Sequence, residues 1–236
     1  MPSDNSKPPP RILLVRHAET DWNRLRRVQG ISDIPLNDRG LAQAGAIAGR
    51  LADEPVKTVY ASPLLRARQT ARAIADRHGL EVEILDDLAE FDQGVLEGRY
   101  LKDIATEYPD LLAAFAKDPA EVRIPGGETM AEVQVRAWRA FGLIADRHEQ
   151  GSVVAVSHNM TLLTLLCRFL GMTLKHFRRL TQSSTGLTIL ERGFQGLSLR
   201  VLNDISHLPE EIRPLEPGVQ PANLKEDPGA GPEGGA

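Results

Sequence analysis

Ile12-Leu13-Leu14-Val15-Arg16-His17-Ala18-Glu19-Thr20 is the stretch on which the reading of this chain turns. Ile12 to Val15 form an unbroken apolar run of strand length and read as a short buried strand. Directly after it the composition changes to Arg, His, Glu and Thr. The carboxyl ends of strands in an open α/β sheet are where ligands bind. A guanidinium beside an imidazole at that place suggests an anion held next to a nucleophile or base. A capped strand followed by a polar loop would account for those residues taken alone. It does not account for their recurrence: Val153-Val154-Ala155-Val156-Ser157-His158 is a second apolar strand ending in a histidine. Two strand-end histidines in one domain are hard to explain as packing.

Outward from these strands, helical and extended patterns alternate. Residues 1–10 are polar and proline-rich and are expected to be a disordered lead-in. After the first strand comes a loop with Asp21-Trp22-Asn23 and the basic run Arg24, Arg26, Arg27, close enough to His17 for one arginine to face a charged substrate. Asn37 caps a helix carrying Leu41, Ala44, Ala48 and Leu51 at helical spacing. Thr58 to Ala61 form the next strand. Ser62-Pro63 then reads as a helix start, with Ser at the N-cap and Pro in the first turn. Arg66 falls in or beside that turn, where free N–H groups and the helix dipole favour anions and a guanidinium adds a bidentate donor. Arg68 and Arg72 are expected to face solvent or pair with acids.

Glu83 to Leu85 read as a third strand leading to Glu90, a carboxylate among apolar neighbours. Leu101 to Lys117 suggest two short helices broken at Pro109. The turn Pro125-Gly126-Gly127 precedes a capping box, Thr129 and Glu132, which opens a long helix with Val133, Ala137, Phe141, Ile144 and Ala145 on its apolar stripe. His148 suits the far end of that helix. Beyond His158 come a helix from about Met160 to Leu170, a short basic helix with His176, and strands at Leu187–Leu190 and Leu197–Leu202. From residue 209 to 236 the chain is rich in Pro and Gly and is expected to be a disordered tail. The expectation is an α/β fold: a single three-layer α/β/α domain over residues 11–208 with a mostly parallel sheet and an antiparallel edge.

Composition sets the outer limits. A chain of 236 residues, 42% hydrophobic and 25% charged, suits one globular domain with a large core. A net charge of −4 argues against a general nucleic-acid or anionic-membrane binder. Cys167, the single cysteine, sits in an apolar run and reads as a core thiol. There is no signal-peptide pattern and no run near the ~20 apolar residues of a membrane span, so a cytoplasmic protein is expected.

If the strand ends converge, one pocket holds Arg16, His17, Arg66, His158 and Glu90. Two guanidiniums and a second imidazole favour a dianionic phosphoryl group. A neutral imidazole can attack phosphorus, and fixed cations can stabilise the charge on the equatorial oxygens. A carboxylic acid can protonate the leaving alkoxide and later activate water. Metal binding, the rival use of His and Glu, is disfavoured: the histidines lack short ligand spacing, and the arginines would repel a dication. No cofactor is expected.

Arg16-His17-Ala18-Glu19-Thr20-Asp21-Trp22-Asn23 resembles the signature of the histidine phosphatase superfamily, the phosphoglycerate-mutase-like fold. The resemblance continues through Gln29-Gly30, Pro35-Leu36 with Gly40, Ser62-Pro63-Leu64-Leu65-Arg66-Ala67 with Gln69-Thr70, Glu90 with Gly94 and Glu97-Gly98, Gly127-Glu128-Thr129, and Ser157-His158. It implies that His17 is the phosphorylated nucleophile, that Arg16, Arg66 and His158 hold the phosphoryl group, and that Glu90 is the proton donor. It implies substrate contacts for Asn23, Gln29, Gly30, Asn159 and His207. Ala18 and Asn159 stand where the family usually has glycine, and neither change removes a chemical group. Glu90 and Glu128 lie only 38 positions apart (90 to 128), without the long insertion of the mutases, and Asn203-Asp204-Ile205-Ser206-His207-Leu208 also resembles the phosphatase branch. The expectation is a metal-independent phosphomonoesterase acting on a small phosphorylated metabolite, with a homodimer allowed. The alternatives are a cofactor-dependent phosphoglycerate mutase and a non-catalytic phospho-ligand binder.

Overall fold

The computed structural model describes residues 9–148 and 150–214. The expected lead-in and tail lie outside the described residues, apart from Pro9, Pro10 and residues 209–214. In chain order the first half comprises β1 (Arg11–Arg16), α1 (Asp21–Arg24), α2 (Asp38–Arg50), β2 (Val56–Ala61), α3 (Leu65–His78) and β3 (Val82–Ile84). The second comprises α4 (Leu101–Glu107), α5 (Pro109–Lys117), α6 (Met130–Arg147), β4 (Ser152–Ser157), α7 (Asn159–Phe169), β5 (Leu187–Gly193) and β6 (Gly196–Asp204).

Along β1, Leu13 and Val15 turn to one face of the sheet and Ile12 and Leu14 to the other, the two-residue period of a strand. The first face packs against Ile47 and Ala48 of α2, Leu51 just after it, and Ala67, Ala71 and Ile74 of α3. The second packs against Ala137, Phe141 and Ile144 of α6 and Leu162, Leu165 and Leu166 of α7. Helices therefore cover both faces, which is why β1 and β4 are continuously apolar rather than alternating. Each fully buried aliphatic side chain contributes about 1.5–3 kcal/mol, so the sheet centre is firmly fixed backbone. Its strand ends carry the two histidines.

The six strands lie in the order β3-β2-β4-β1-β5-β6. The pairs β1/β4, β2/β4 and β2/β3 are parallel, whereas β1/β5 and β5/β6 are antiparallel. The connection from β1 runs across β4 to β2, and that from β4 runs the other way across β1 to β5. Strand order thus reverses between β1 and β4, where a crevice forms at the carboxyl ends. Arg16 is in register with Ser157, and His17 N donates to Ser157 O at 2.9 Å. The next residues, His17 and His158, consequently emerge side by side.

Local structure departs from the sequence reading in a few places. Ser62 does not cap α3; the helix begins at Leu65, with Leu64 at the N-cap position. Ser62 Oγ instead accepts from Leu64 N at 3.2 Å and contacts His158, while Leu65 N is capped by Asp33 Oδ1 at 2.5 Å, 32 residues earlier. The loop after β1 contains one helical turn, α1, closed by a reciprocal capping box between Thr20 and Asn23. His176 lies in a 3-10 turn, Leu174–Arg179. Beyond Leu208 the chain docks on α2: Gln43 Nε2 donates to Ile212 O at 2.8 Å, and Arg39 donates to Arg213 O. Among the described residues, no helix is long and apolar enough to cross a membrane.

Candidate active site

His17 and His158 lie with ring centroids 5.1 Å apart and planes inclined by 55°. His17 Nδ1 is 2.7 Å from Ala18 O. A carbonyl only accepts, so Nδ1 carries the proton and Nε2 keeps its lone pair. Ala18 N donates to Thr70 Oγ1 at 3.0 Å, and that hydroxyl donates to Arg66 O at 2.8 Å. The histidine turn is thereby tied to α3.

Arg66 is fully buried. Its two terminal nitrogens donate to Ser32 O at 2.8 Å and Gly30 O at 2.6 Å. Glu97 holds that loop in turn, its carboxylate accepting from Ile31 N at 2.8 Å and from Ser32 Oγ at 2.6 Å. Position 30 must be glycine for this approach: a Cβ there would lie 2.0 Å from Glu97 Oε1 and 2.5 Å from Phe91 O. Arg16 donates to Gln182 O at 2.7 Å, and its own carbonyl accepts from Thr185 N at 3.0 Å. The loop before β5 therefore brackets Arg16.

Glu90 sits at the N-terminus of α7. Its Oε1 accepts from Phe91 N at 2.9 Å and from Thr161 N at 3.2 Å, while the Thr161 hydroxyl, 3.2 Å from Oε1, donates to Ala89 O at 2.7 Å; among the described residues Oε2 accepts only from Met160 N, at 3.2 Å. The backbone carrying Glu90 is gripped by Arg136 of α6, which donates to Asp87 O, Ala89 O and Glu90 O at 3.1, 2.5 and 2.9 Å. Arg136 also makes a bidentate pair with Glu128, both contacts at 2.9 Å, and Glu128 accepts from Asp92 N at 3.0 Å. Glu90 faces both Arg16 and Arg66 closely enough to favour their charged forms.

The electrostatics of the cluster follow from burial beside fixed cations. Burial pushes His17 well below the ordinary histidine value, and Arg66 and then Arg16 push it the same way, outweighing the Ala18 carbonyl. His158 is lowered for the same reasons: burial first, then Arg66, His17, Arg16 and Arg136. Both imidazoles are therefore neutral even where free histidine takes up a proton. Burial brings Arg66 down to about 10 despite Glu90, Glu97 and Asp33, so it stays charged at neutral pH.

The structure brings Arg16, His17, Arg66, Glu90 and His158 together. Among the described residues, Arg16 Nε, Arg66 Nε, His158 Nδ1 and Gln29 Nε2 are buried without a hydrogen-bond partner. Buried polar groups are nearly always paired, and three of these unpaired nitrogens, on Arg16, Arg66 and His158, belong to the five-residue cluster, where an anion would face them. Asn23 and Gln29 both direct their side-chain oxygens at Thr20: Asn23 Oδ1 accepts from Thr20 N at 3.1 Å, and Gln29 Oε1 accepts from Thr20 Oγ1 at 2.9 Å. Among the described residues, that leaves both amide NH2 groups without a hydrogen-bond partner. Gly30 contributes its carbonyl to Arg66. Asn159 is the first residue of α7, and its amide reaches only Met160 Sδ at 3.8 Å. His207 stands further back, with Nε2 3.2 Å from Thr185 Oγ1 behind Arg16, and has no hydrogen bond to the five-residue cluster. From the sequence Ser62 reads only as a helix cap, and Thr70, Glu97, Arg136 and the 182–185 loop receive no role of their own. Several stand in the quoted motifs, but their partners are distant in sequence.

The family described as histidine phosphatase superfamily (branch 1) matches residues 12–205. The chain is 32% identical over 200 residues to "Phosphoserine phosphatase 1" of Hydrogenobacter thermophilus, covering 85% of this chain and 95% of that protein. It is 34% identical over 202 residues to "Probable phosphoglycerate mutase GpmB" of Enterobacter sp. (strain 638), covering 84% and 94%. Among solved structures, it resembles the phosphoserine phosphatase of Entamoeba histolytica in complex with 3-phosphoglyceric acid. There the TM-score is 0.75 at 26% identity, over 85% of this chain and all of the other (100%).

Proposed function

Because the chain belongs to branch 1 of the histidine phosphatase superfamily, we propose that it is a metal-independent phosphomonoesterase working through a phosphohistidine on His17. The observation that carries this reading is the Nδ1 contact of His17 with Ala18 O, which leaves a neutral Nε2 lone pair beside two guanidiniums. The substrate's dianionic phosphoryl group is held by Arg16, Arg66 and His158. Nε2 attacks phosphorus in line, the ester P–O bond breaks, and Glu90, which enters this step as the carboxylic acid, delivers its proton to the leaving alkoxide. Water then attacks the phosphohistidine, the P–N bond breaks, Glu90 takes the water's proton, and inorganic phosphate leaves. Asn23 and Gln29 supply amide donors at the edge of the pocket, and Asn159 and His207 are assigned to its substrate side and its support.

Hydrolysis is preferred over mutase chemistry because only α4, α5 and short turns separate Glu90 from Glu128, too little chain for a long lid. The mutase remains the second reading, favoured by the relative that bears that name. The deciding experiment is a phosphate-release panel over phosphoserine, phosphoglycerates, sugar phosphates and an aryl phosphate. Phosphoserine comes first, since two of the compared proteins carry its phosphatase's name. Primer-dependent interconversion of 2- and 3-phosphoglycerate faster than phosphate release would install the mutase instead.

Two further results are expected. In this reading the phosphoryl charge is neutralised by side chains, so a chelator should leave the hydrolysis rate unchanged. Loss of activity with rescue by a divalent ion would refute the metal-independent mechanism. Arg66→Lys should lower kcat/KM by about 30- to 1,000-fold, the ~2–4 kcal/mol scale of one preorganised donor. Lysine keeps the charge, but it loses the planar fork that spans Gly30 O and Ser32 O while presenting Nε. Near wild-type kinetics would remove Arg66 from the phosphoryl site.

A further inference from the structure

Ser62 Oγ and His158 Nε2 meet at 2.7 Å, and both side chains are fully buried. Which of them donates follows from counting every partner. Ser62 Oγ already accepts from Leu64 N at 3.2 Å. Among the described residues its own proton has no acceptor other than His158 Nε2, and a buried donor left unmade costs about 1–3 kcal/mol. At the other nitrogen, His158 is the N-cap residue of α7, yet its side chain caps nothing. Met160 N and Thr161 N both go to Glu90, so Nδ1 is not needed as an acceptor and is left without a partner.

We propose that Ser62 is a positioning residue: its hydroxyl donates to His158 Nε2 and fixes His158 as the Nδ1–H tautomer, a neutral donor to the bound phosphoryl group. The geometry stands by itself; only the catalytic consequence rests on the phosphatase reading. Two neutral imidazoles of the same tautomer then do opposite work. His17 spends Nδ1–H on Ala18 O and offers a lone pair at Nε2. His158 spends Nε2 on Ser62 and offers a proton at Nδ1. The other tautomer would set a lone pair against a phosphoryl oxygen and idle the serine proton. An imidazolium would make Ser62 Oγ accept from both His158 and Leu64 N and leave the same proton idle. Burial and the positive neighbours Arg66, Arg16 and Arg136 also act against the imidazolium.

The test is long-range proton–nitrogen correlation NMR on the 15N-labelled full chain, with His158 assigned by difference from His158→Gln, without ligand and with inorganic phosphate. The expected result is a proton on Nδ1 of His158 in the wild type. In Ser62→Ala the population should move toward Nε2–H, the form free histidine side chains favour. Phosphomonoester kcat/KM should fall by about 10- to 100-fold, the range seen when partners that fix the tautomer of metal-binding histidines are removed. Ser62→Thr, which keeps the hydroxyl, should restore both. Nε2–H in the wild type, an unmoved tautomer in Ser62→Ala, or unchanged kinetics despite a moved tautomer would each overturn the proposal. If the variants do not fold, the wild-type spectrum decides alone. Nδ1–H on His158 in a protein that hydrolyses no phosphomonoester would support the tautomer assignment and defeat the phosphatase reading instead.

Discussion

His17→Ala is expected to abolish turnover, by about 10,000-fold or more, the scale on which removing a nucleophile is measured. Among the described residues of the cluster, only His17 combines a neutral nitrogen, a free lone pair and adjacent fixed cations. Its proton is committed to Ala18 O, and burial with Arg66 and Arg16 keeps a second proton off. Among the described residues the side chain's one hydrogen bond goes to its neighbour in sequence, so the variant should fold. Arg16, Arg66 and His158 remain in place, so it should still bind phosphomonoesters while failing to cleave them. Acid-labile, base-stable labelled phosphoprotein should be trapped on rapid quenching of the wild type and be absent from the variant. Label persisting in His17→Ala, or turnover near the wild-type rate, would move the nucleophile elsewhere.

The sheet and its histidine-bearing edge were readable because their signals are local. Ile12–Val15 and Val153–Val156 are apolar on both faces, as a strand covered by helices on both sides requires. The parallel pairing that sets His17 beside His158 then follows from strand ends meeting in one crevice. What escaped reading depends on partners far apart in sequence. Ser62 has the residue type and position of a helix cap, but Asp33 from another loop caps α3 and the serine turns to His158. Glu97 faces Arg66 as a charge and also holds Ile31 and Ser32 of the loop whose carbonyls grip the guanidinium, and Arg136 reaches the backbone of Glu90 across 46 positions. His207 belongs to a stretch that resembles the phosphatases of the family, yet among the described residues its one hydrogen bond goes to Thr185, whose N donates to Arg16 O, rather than to the five-residue cluster. Motif spacing identifies which residues matter together; it does not say which atom each one touches.

Glu90→Gln should separate the two chemical steps assigned to this carboxylate. The substitution is nearly isosteric. A glutamine oxygen can keep the contacts of Oε1 with Phe91 N and Thr161 N, while the amide nitrogen replaces Oε2 and leaves Met160 N without its acceptor. Arg136 and Glu128 hold the surrounding backbone independently of the side chain, so the pocket should keep its shape. What is lost is the proton donor. For an alkyl phosphate, whose leaving alkoxide needs that proton, phosphoryl transfer to His17 should slow by about 100- to 10,000-fold. For an aryl phosphate, whose phenolate leaves unaided, transfer should proceed at nearly the wild-type rate. The phosphohistidine should then accumulate, because no carboxylate remains to take the proton from attacking water. Rapid mixing with the aryl substrate should therefore show a burst of phenol, one equivalent per site, followed by slow turnover. Equal losses on alkyl and aryl substrates in the burst phase would show that Glu90 does not protonate the leaving group. A normal steady state after the burst would show that it does not activate the water.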